Sequence, residues 1–284
     1  MPKRPPRGEM IDLGGRRLHV VRRGPRGDKP TIVLEHGAFG CASDWGVVQA
    51  RLAAKGLHSI AYDRAGLGLS DPGPQPRDGR ALNADLSALL AAMGEAGPYV
   101  LVGHSMGGLM VRLYALTHPA EAVGVVLVDD VLPDVMESGQ GARAVRAYGR
   151  AMRWVGVGAR FGLMRPVAAM TGNMIGLEGE AAVEKRRIYG LGSHARWAAE
   201  EVSQWPATSD QAAIGNYPPD LPIAVVTAGV EERTPWLKSL QVAPALASRH
   251  GYVDHVAGAG HASLLGRRFA DPIVRGVEHI LAVI

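Results

Sequence analysis

The sequence predicts an α/β protein, with a mostly parallel central sheet flanked by helices and interrupted by a helical insertion. Three observations carry this expectation. Short β-branched and aliphatic runs recur along the chain, stretches with helical spacing lie between them, and one long interval holds helical material and no convincing strand. Continuous apolar runs suit strands buried on both faces. Parallel strands also need crossovers, and each crossover helix hides one face of the sheet.

The strand candidates are, in order, RLHVVRR from Arg17, TIVLE from Thr31, HSIAYD from His58, YVLVG from Tyr99, VGVVLV from Val123, IAVVTA from Ile223 and GYVDHV from Gly251. Between the third and fourth, ALNADLSALLAAMGEAG from Ala81 repeats leucine three and four residues apart and is expected to stop at Gly97 and Pro98. The N-terminal MPKRPPRGEMIDLGG has basic residues with no apolar stretch behind them and no small-residue cleavage site, so it reads as a loose arm and not as a signal peptide.

From about Pro133 to Tyr217 the strand rhythm breaks, and this interval is expected to form an inserted helical cap. The division is then a core of residues 1–132 and 218–284 and a cap of residues 133–217. Within the cap, Arg143, Arg146, Arg150 and Arg153 share one helical face, with Val145, Tyr148, Met152 and Val155 largely on the other. A solvated face over an apolar underside explains this pattern, and a basic patch for acidic substrates or lipid headgroups is the sharper alternative. Met164, Met170, Met174, Trp154, Trp197 and Trp205 are candidates either for a cavity lining or for packing of cap on core.

Composition narrows the class. With 284 residues a sizeable core is available, and 47% hydrophobic with 20% charged residues describes a globular chain. The 31 Lys and Arg are balanced by 27 Asp and Glu without one basic block, so a nucleic-acid partner is not expected. No apolar run approaches the roughly 20 residues of a membrane span. The single cysteine, Cys41, cannot form an intrachain disulfide, which makes the cytoplasm the default expectation. No metal-ligand spacing and no complete phosphate loop occur, DRAGLGLSD included, so no cofactor and no metal are expected.

The sharpest chemical signal is GHSMGG at 103–108, which follows the strand YVLVG and opens a helical stretch. A nucleophile in a strained strand-to-helix elbow needs small residues two before and two after it, here Gly103 and Gly107 around Ser105. The start of the following helix also favours developing negative charge. The second signal is EHGAFG at 35–40, directly after the strand TIVLE. A turn there can aim backbone N–H groups at the elbow, so that Met106 N–H and Ala38 N–H form an oxyanion hole, with Phe39 as the fallback. His36, fixed in this turn, reads as structural.

With HGAFG, YDRAGLGLSD at 62–71, GHSMGG, LVDDVLPD at 127–134 and GAGHASLL at 258–265, the chain resembles the α/β-hydrolase superfamily, in its cap-bearing, esterase-like branch. The resemblance implies the α/β-hydrolase fold and a triad in the chain order nucleophile, acid, base, with the base in a loop after the last strand. His261 fits that slot, whereas its competitor His255 lies inside the strand. Two strand ends offer the acid: Asp129 or Asp130 after VGVVLV, and Glu231 or Glu232 after IAVVTAG. The family's commoner position is the second, where an Asp usually precedes a Pro, but VEERTP supplies only Glu. Resemblance to relatives with the acid after the preceding strand favours Asp129.

The expected activity is hydrolysis of small-molecule carboxylic esters through an acyl-enzyme on Ser105, with His261 as general base. The same residues can also serve a lactone, an amide, a C–C bond or acyl transfer to peroxide, and a non-catalytic receptor on the hydrolase scaffold is a further alternative. The oligomeric state is left open.

Overall fold

The computed structural model describes residues 6–171, 173–229 and 235–284. An eight-stranded sheet forms the centre. The strands are β1 (Glu9–Asp12), β2 (Arg17–Arg23), β3 (Thr31–Glu35), β4 (Ser59–Tyr62), β5 (Tyr99–His104), β6 (Ala122–Val128), β7 (Ile223–Ala228) and β8 (Gly251–Val256), in the spatial order β1-β2-β4-β3-β5-β6-β7-β8. The pairs β1–β2 and β2–β4 are antiparallel, and every other pair is parallel.

The apolar runs bury both faces, as parallel strands require. Ile32, Leu34, Val100, Val102, Val126 and Val128 point to one side, where they meet α1 (Gly46–Ala54) and α11 (Asp271–Val283) through Val48, Leu52, Ile273 and Val277. The intervening Val33, Leu101, Val125 and Leu127 point to the other side. There they meet Leu86 and Leu89 of α2 (Gly79–Ala92), Val111 and Tyr114 of α3 (Gly107–Thr117), and Ala245 of α10 (Pro235–Ala247).

Two local expectations are corrected. The N-terminal arm is not loose throughout: Glu9–Asp12 pairs with β2 as an edge strand, and Ile11 packs against the core. Its register partner and its single inward apolar side chain do what a four-residue stretch cannot do alone. Helix α2 stops at Ala92, ahead of Gly97 and Pro98, because Gly94 adopts φ +63° two residues later and reverses the chain.

Between β6 and β7 lie only helices among the described residues: α4 (Asp134–Glu137), α5 (Gly139–Arg160), α6 (Met164–Thr171), α7 (Gly179–Tyr189), α8 (Gly192–Ser203) and α9 (Trp205–Ala212). Val145, Val202, Trp205 and Ala212 from this insertion pack on Met106, Leu109, Met110 and Leu113. The insertion therefore rests directly on the helix that follows the elbow.

Buried ion pairs add to that contact. Arg64 is fully buried and donates from Nε to Glu201 Oε2 of α8 at 2.8 Å, while Lys185 of α7 pairs with Asp44 beside the loop after β3. Arg7 donates to Glu184 Oε2 of α7 at 2.8 Å. Removing one member of such a pair strands a charge away from water, so these contacts fix where the insertion sits.

Candidate functional site

The site forms at the C-terminal ends of β3, β5 and β6, where the chain turns out of the sheet. Ser105 follows β5 directly and has φ +54°, the left-handed conformation that a side-chain-bearing residue adopts only under constraint. Its N–H donates to Val128 O at 3.0 Å, and Val131 N–H donates to Ser105 O at 3.2 Å. The flanking glycines are dictated by contact. A Cβ on Gly103 would come 2.7 Å from Gly107 O, and one on Gly107 would come 2.5 Å from Glu35 O.

Asp129 follows β6 directly and is also left-handed, at φ +41°. Its Oδ2 lies 2.7 Å from His261 Nδ1. The other oxygen, Oδ1, accepts from Ala228 N–H at 3.0 Å, Lys238 Nζ at 3.1 Å and Gln241 Nε2 at 3.4 Å. Burial alone would push this carboxyl up. The hydrogen bond and charge of His261, with Ala228 N–H and Lys238, outweigh it and hold Asp129 below the usual carboxylate range.

The other acids named from the sequence have different surroundings. Asp130 is buried beneath Gly108, and its carboxyl oxygens have no hydrogen-bond partner among the described residues. Burial first, and the Asp129 charge second, push it up to about 7. Glu231 and Glu232 lie outside the described residues. His255 stays within β8 and pairs with Thr227 Oγ1 at 2.7 Å.

His261 sits in the loop between β8 and α11, with half of its side chain exposed. His104, the residue before Ser105, donates from Nε2 to His261 O at 3.1 Å, and the two rings lie 4.6 Å apart at 33°. Burial, then the neighbouring His261, push His104 down to about 3, which keeps it neutral as a spacer. Among the described residues no hydrogen bond joins Ser105 Oγ to the His261 ring. Catalytic hydrogen bonds are often long until a substrate closes them.

Ser105 and His261 line one cavity of about 410 Å³. Gly37 and Ala38 of the loop after β3 share its wall, as do Val131, Tyr148, Met174, Ile175, Trp205 and Leu265. Met106 is fully buried and caps α3, so its N–H stands at the helix start, where no intrahelical acceptor is available. Of the cavity candidates read from the sequence, Met174 and Trp205 reach the wall. Trp154 is instead 75% exposed, Trp197 packs over Gly66, and the Met170 side chain lies outside the described residues.

The loop carrying Ala38 is held from below. Arg64 donates from Nη1 to His36 O at 2.6 Å and from Nη2 to Gly37 O at 3.0 Å, while its remaining donors take Glu35 and Glu201. These bonds turn the loop carbonyls toward Arg64. His36 is fully buried and pairs through Nδ1 with Gly37 O at 2.9 Å; burial, then Arg64, hold it well below the usual imidazole range. Asp63 completes the turn by accepting from Ala42 N–H at 2.7 Å and Leu69 N–H at 2.9 Å. DRAGLGLSD is thus a loop anchor in this fold.

Sequence reasoning missed Lys238, Gln241, His104, Lys185 and Glu201. Only His104 carries a signal, through its place inside GHSMGG. Among the described residues no group of three or more His, Cys, Asp or Glu side chains has the geometry of a metal site.

The chain matches the family model for the alpha/beta hydrolase fold over residues 30–156, a span that includes Ala38, Ser105 and Asp129 and ends before His261. It is 36% identical over 138 residues to N-formylmaleamate deformylase of Pseudomonas putida, covering 48% of each chain. It is 33% identical over 132 residues to a non-heme chloroperoxidase of Streptomyces lividans, covering 46% of this chain and 47% of that one. The chain spans no more than about half the length of the curated relatives it matches. Among solved structures, a thermophilic esterase from Thermogutta terrifontis superposes with a TM-score of 0.69 at 19% identity, covering 96% of this chain and 97% of that one. With the strand order, the elbow geometry and these likenesses together, the chain has the α/β-hydrolase fold, and its residues 30–156 match the model of that family.

Proposed function

We propose that the protein is a serine hydrolase that cleaves carboxylic esters of small to medium size, with Ser105, His261 and Asp129 as its triad. The observation that carries this reading is the 2.7 Å pair between Asp129 and His261, beside a strained Ser105 on the wall of the same cavity. Ser105 Oγ attacks the acyl carbon while His261 Nε2 takes its proton, and the Oγ–C bond forms as the carbonyl oxygen gains negative charge. Ala38 N–H and Met106 N–H receive that oxyanion. His261 returns the proton to the departing alcohol as the C–O bond breaks, leaving an acyl-enzyme. Water then repeats the cycle and releases the acid. Asp129 holds the tautomer that keeps Nε2 free to accept, and stabilises the imidazolium.

The cavity volume, and a wall that is mostly apolar apart from His104, Tyr189 and the Lys185–Asp44 pair, favour acyl groups that are mainly apolar. The helices between β6 and β7 serve in this reading as a cap over the acyl pocket. Likeness to a deformylase supports amide cleavage as a second reading that uses the same residues. The test is labelling by a fluorophosphonate together with turnover of a panel of p-nitrophenyl esters of increasing acyl length, one lactone and one formamide. Labelling at Ser105 and ester turnover lost in Ser105→Ala are expected. Wild-type ester hydrolysis by Ser105→Ala removes the proposal, and turnover of the formamide alone selects the second reading.

A further inference from the structure

The outer face of α5 has a pattern that hydrolysis does not use. Arg143, Arg146, Arg150, Trp154, Val157 and Phe161 follow one another at spacings of three and four residues, which places them within about 80° of arc along the helix and its C-terminal cap. All six are exposed, with Trp154 at 75% and Phe161 at 77%. The opposite face, through Ala142, Val145, Gly156 and Ala159, is buried, and Gly156 lies against Ala199 of α8. The stripe is thus basic in its first half and aromatic and aliphatic in its second, and Leu163 extends the apolar end at 56% exposure.

Charge in this part of the chain is one-sided. Residues 138–177 contain six arginines and no aspartate or glutamate, whereas the whole protein is nearly balanced. A solvated helix face usually mixes both signs, and large aromatic side chains on it are left without a use. Met174, exposed at 71%, also lines the cavity that holds Ser105, so the cavity opens on this same insertion.

We infer that the outer face of α5 docks on an anionic lipid bilayer, with Arg143, Arg146 and Arg150 on headgroup phosphates and Trp154, Val157, Phe161 and Leu163 in the interface. A helix lying in that plane needs a basic face joined to Trp, Phe and Leu, and each arginine near an anionic surface contributes to binding. Aliphatic Val157 and Leu163 at the apolar end have no use against a nucleic-acid base, which makes a bilayer the better fit than a single strand. No helix of the described residues is long and apolar enough to cross a membrane, so the docking is peripheral.

Co-sedimentation of the full chain with phosphatidylcholine vesicles, with and without phosphatidylglycerol, tests this. Binding to the mixed vesicles and little to phosphatidylcholine alone is expected. Arg143→Glu/Arg146→Glu/Arg150→Glu should bind at least about 10-fold more weakly, and the three Arg→Lys changes together should retain binding. Trp154→Ser/Phe161→Ser should also bind about 10-fold more weakly. Ser105→Ala should bind as the wild type does, so a failure of the hydrolase reading would be seen separately. Equal binding to both vesicle types, no binding, or loss in the arginine variant but not in the aromatic one each overturn the inference. So does preference for a single-stranded oligonucleotide over the mixed vesicles.

Discussion

Lys238 Nζ lies 3.1 Å from Asp129 Oδ1, on the carboxylate oxygen that His261 does not use. The ammonium is buried and also donates to Ala228 O at 2.6 Å, so it is fixed in place. It withdraws part of the negative charge that Asp129 would otherwise present to the imidazole. In Lys238→Met the imidazolium is favoured more strongly, and the acid limb of the kcat/KM profile should move to higher pH than in the wild type. A pH–rate profile of ester hydrolysis measures this, and a loss of rate at every pH with an unmoved limb would assign Lys238 to packing alone.

Asp129→Asn and Asp130→Asn should separate cleanly although the residues are adjacent. The first loses the acceptor that sets the His261 tautomer, and kcat should fall by about 10⁴-fold. The second should keep activity and change stability. Burial and the Asp129 charge push the Asp130 carboxyl up to about 7, well above an ordinary carboxylate, so the stability present below about pH 4 is lost as pH rises through that value. At pH 8 Asp130→Asn should be more stable than the wild type by a few kcal/mol, on the order expected for a buried carboxylate. At pH 4 the two should converge. Urea unfolding at both pH values provides the comparison.

Glu201 reaches from α8 to Arg64, and Arg64 holds the carbonyls of His36 and Gly37. Glu201→Ala leaves a buried guanidinium short of an acceptor and should destabilise the protein by about 3–5 kcal/mol. Glu201→Gln, which still accepts one bond, should fold well and label more slowly with a fluorophosphonate, because the loop bearing Ala38 is held less firmly. Equal labelling rates in Glu201→Gln and wild type would disconnect α8 from that loop.

Two glycine substitutions in opposite surroundings provide a packing test. Gly107→Ala places a methyl 2.5 Å from Glu35 O and should cost about 1–3 kcal/mol with loss of Ser105 labelling. Gly149→Ala, within α5 and with nothing inside 4 Å of the new Cβ, should raise stability by about 0.5–1 kcal/mol. Denaturant midpoints measure both.

The strands β3 to β7 are legible because they are buried on both sides of the sheet, β2 and β8 because of their β-branched residues, and the elbow because GHSMGG needs its glycines locally. The short edge strand β1 was not legible: EMID is stabilised by β2 and by the burial of Ile11, and neither shows in four residues. For the acid the residues themselves offer two strand ends and only the resemblance favours Asp129, since which carboxylate meets His261 depends on strand order and not on spacing. Lys238, Lys185 and Glu201 look like ordinary charges on helix surfaces until tertiary contact buries them. The arginine stripe of α5 was read with its apolar underside, but its continuation into Trp154, Val157 and Phe161 emerges only when the whole helix is drawn through to Phe161.

The bonds that tie Ser105 to Val128 and Val131 bear on any attempt to exchange the insertion with that of another hydrolase. The root of the insertion is itself part of the elbow's support, and Asp129 stands within it. A chimaera joined before Val131 would replace the bond that braces Ser105 along with the helices between β6 and β7. One joined after Leu132 keeps that brace, but it must bring its own acceptor for Arg64 in place of Glu201 if the loop bearing Ala38 is to stay where it is.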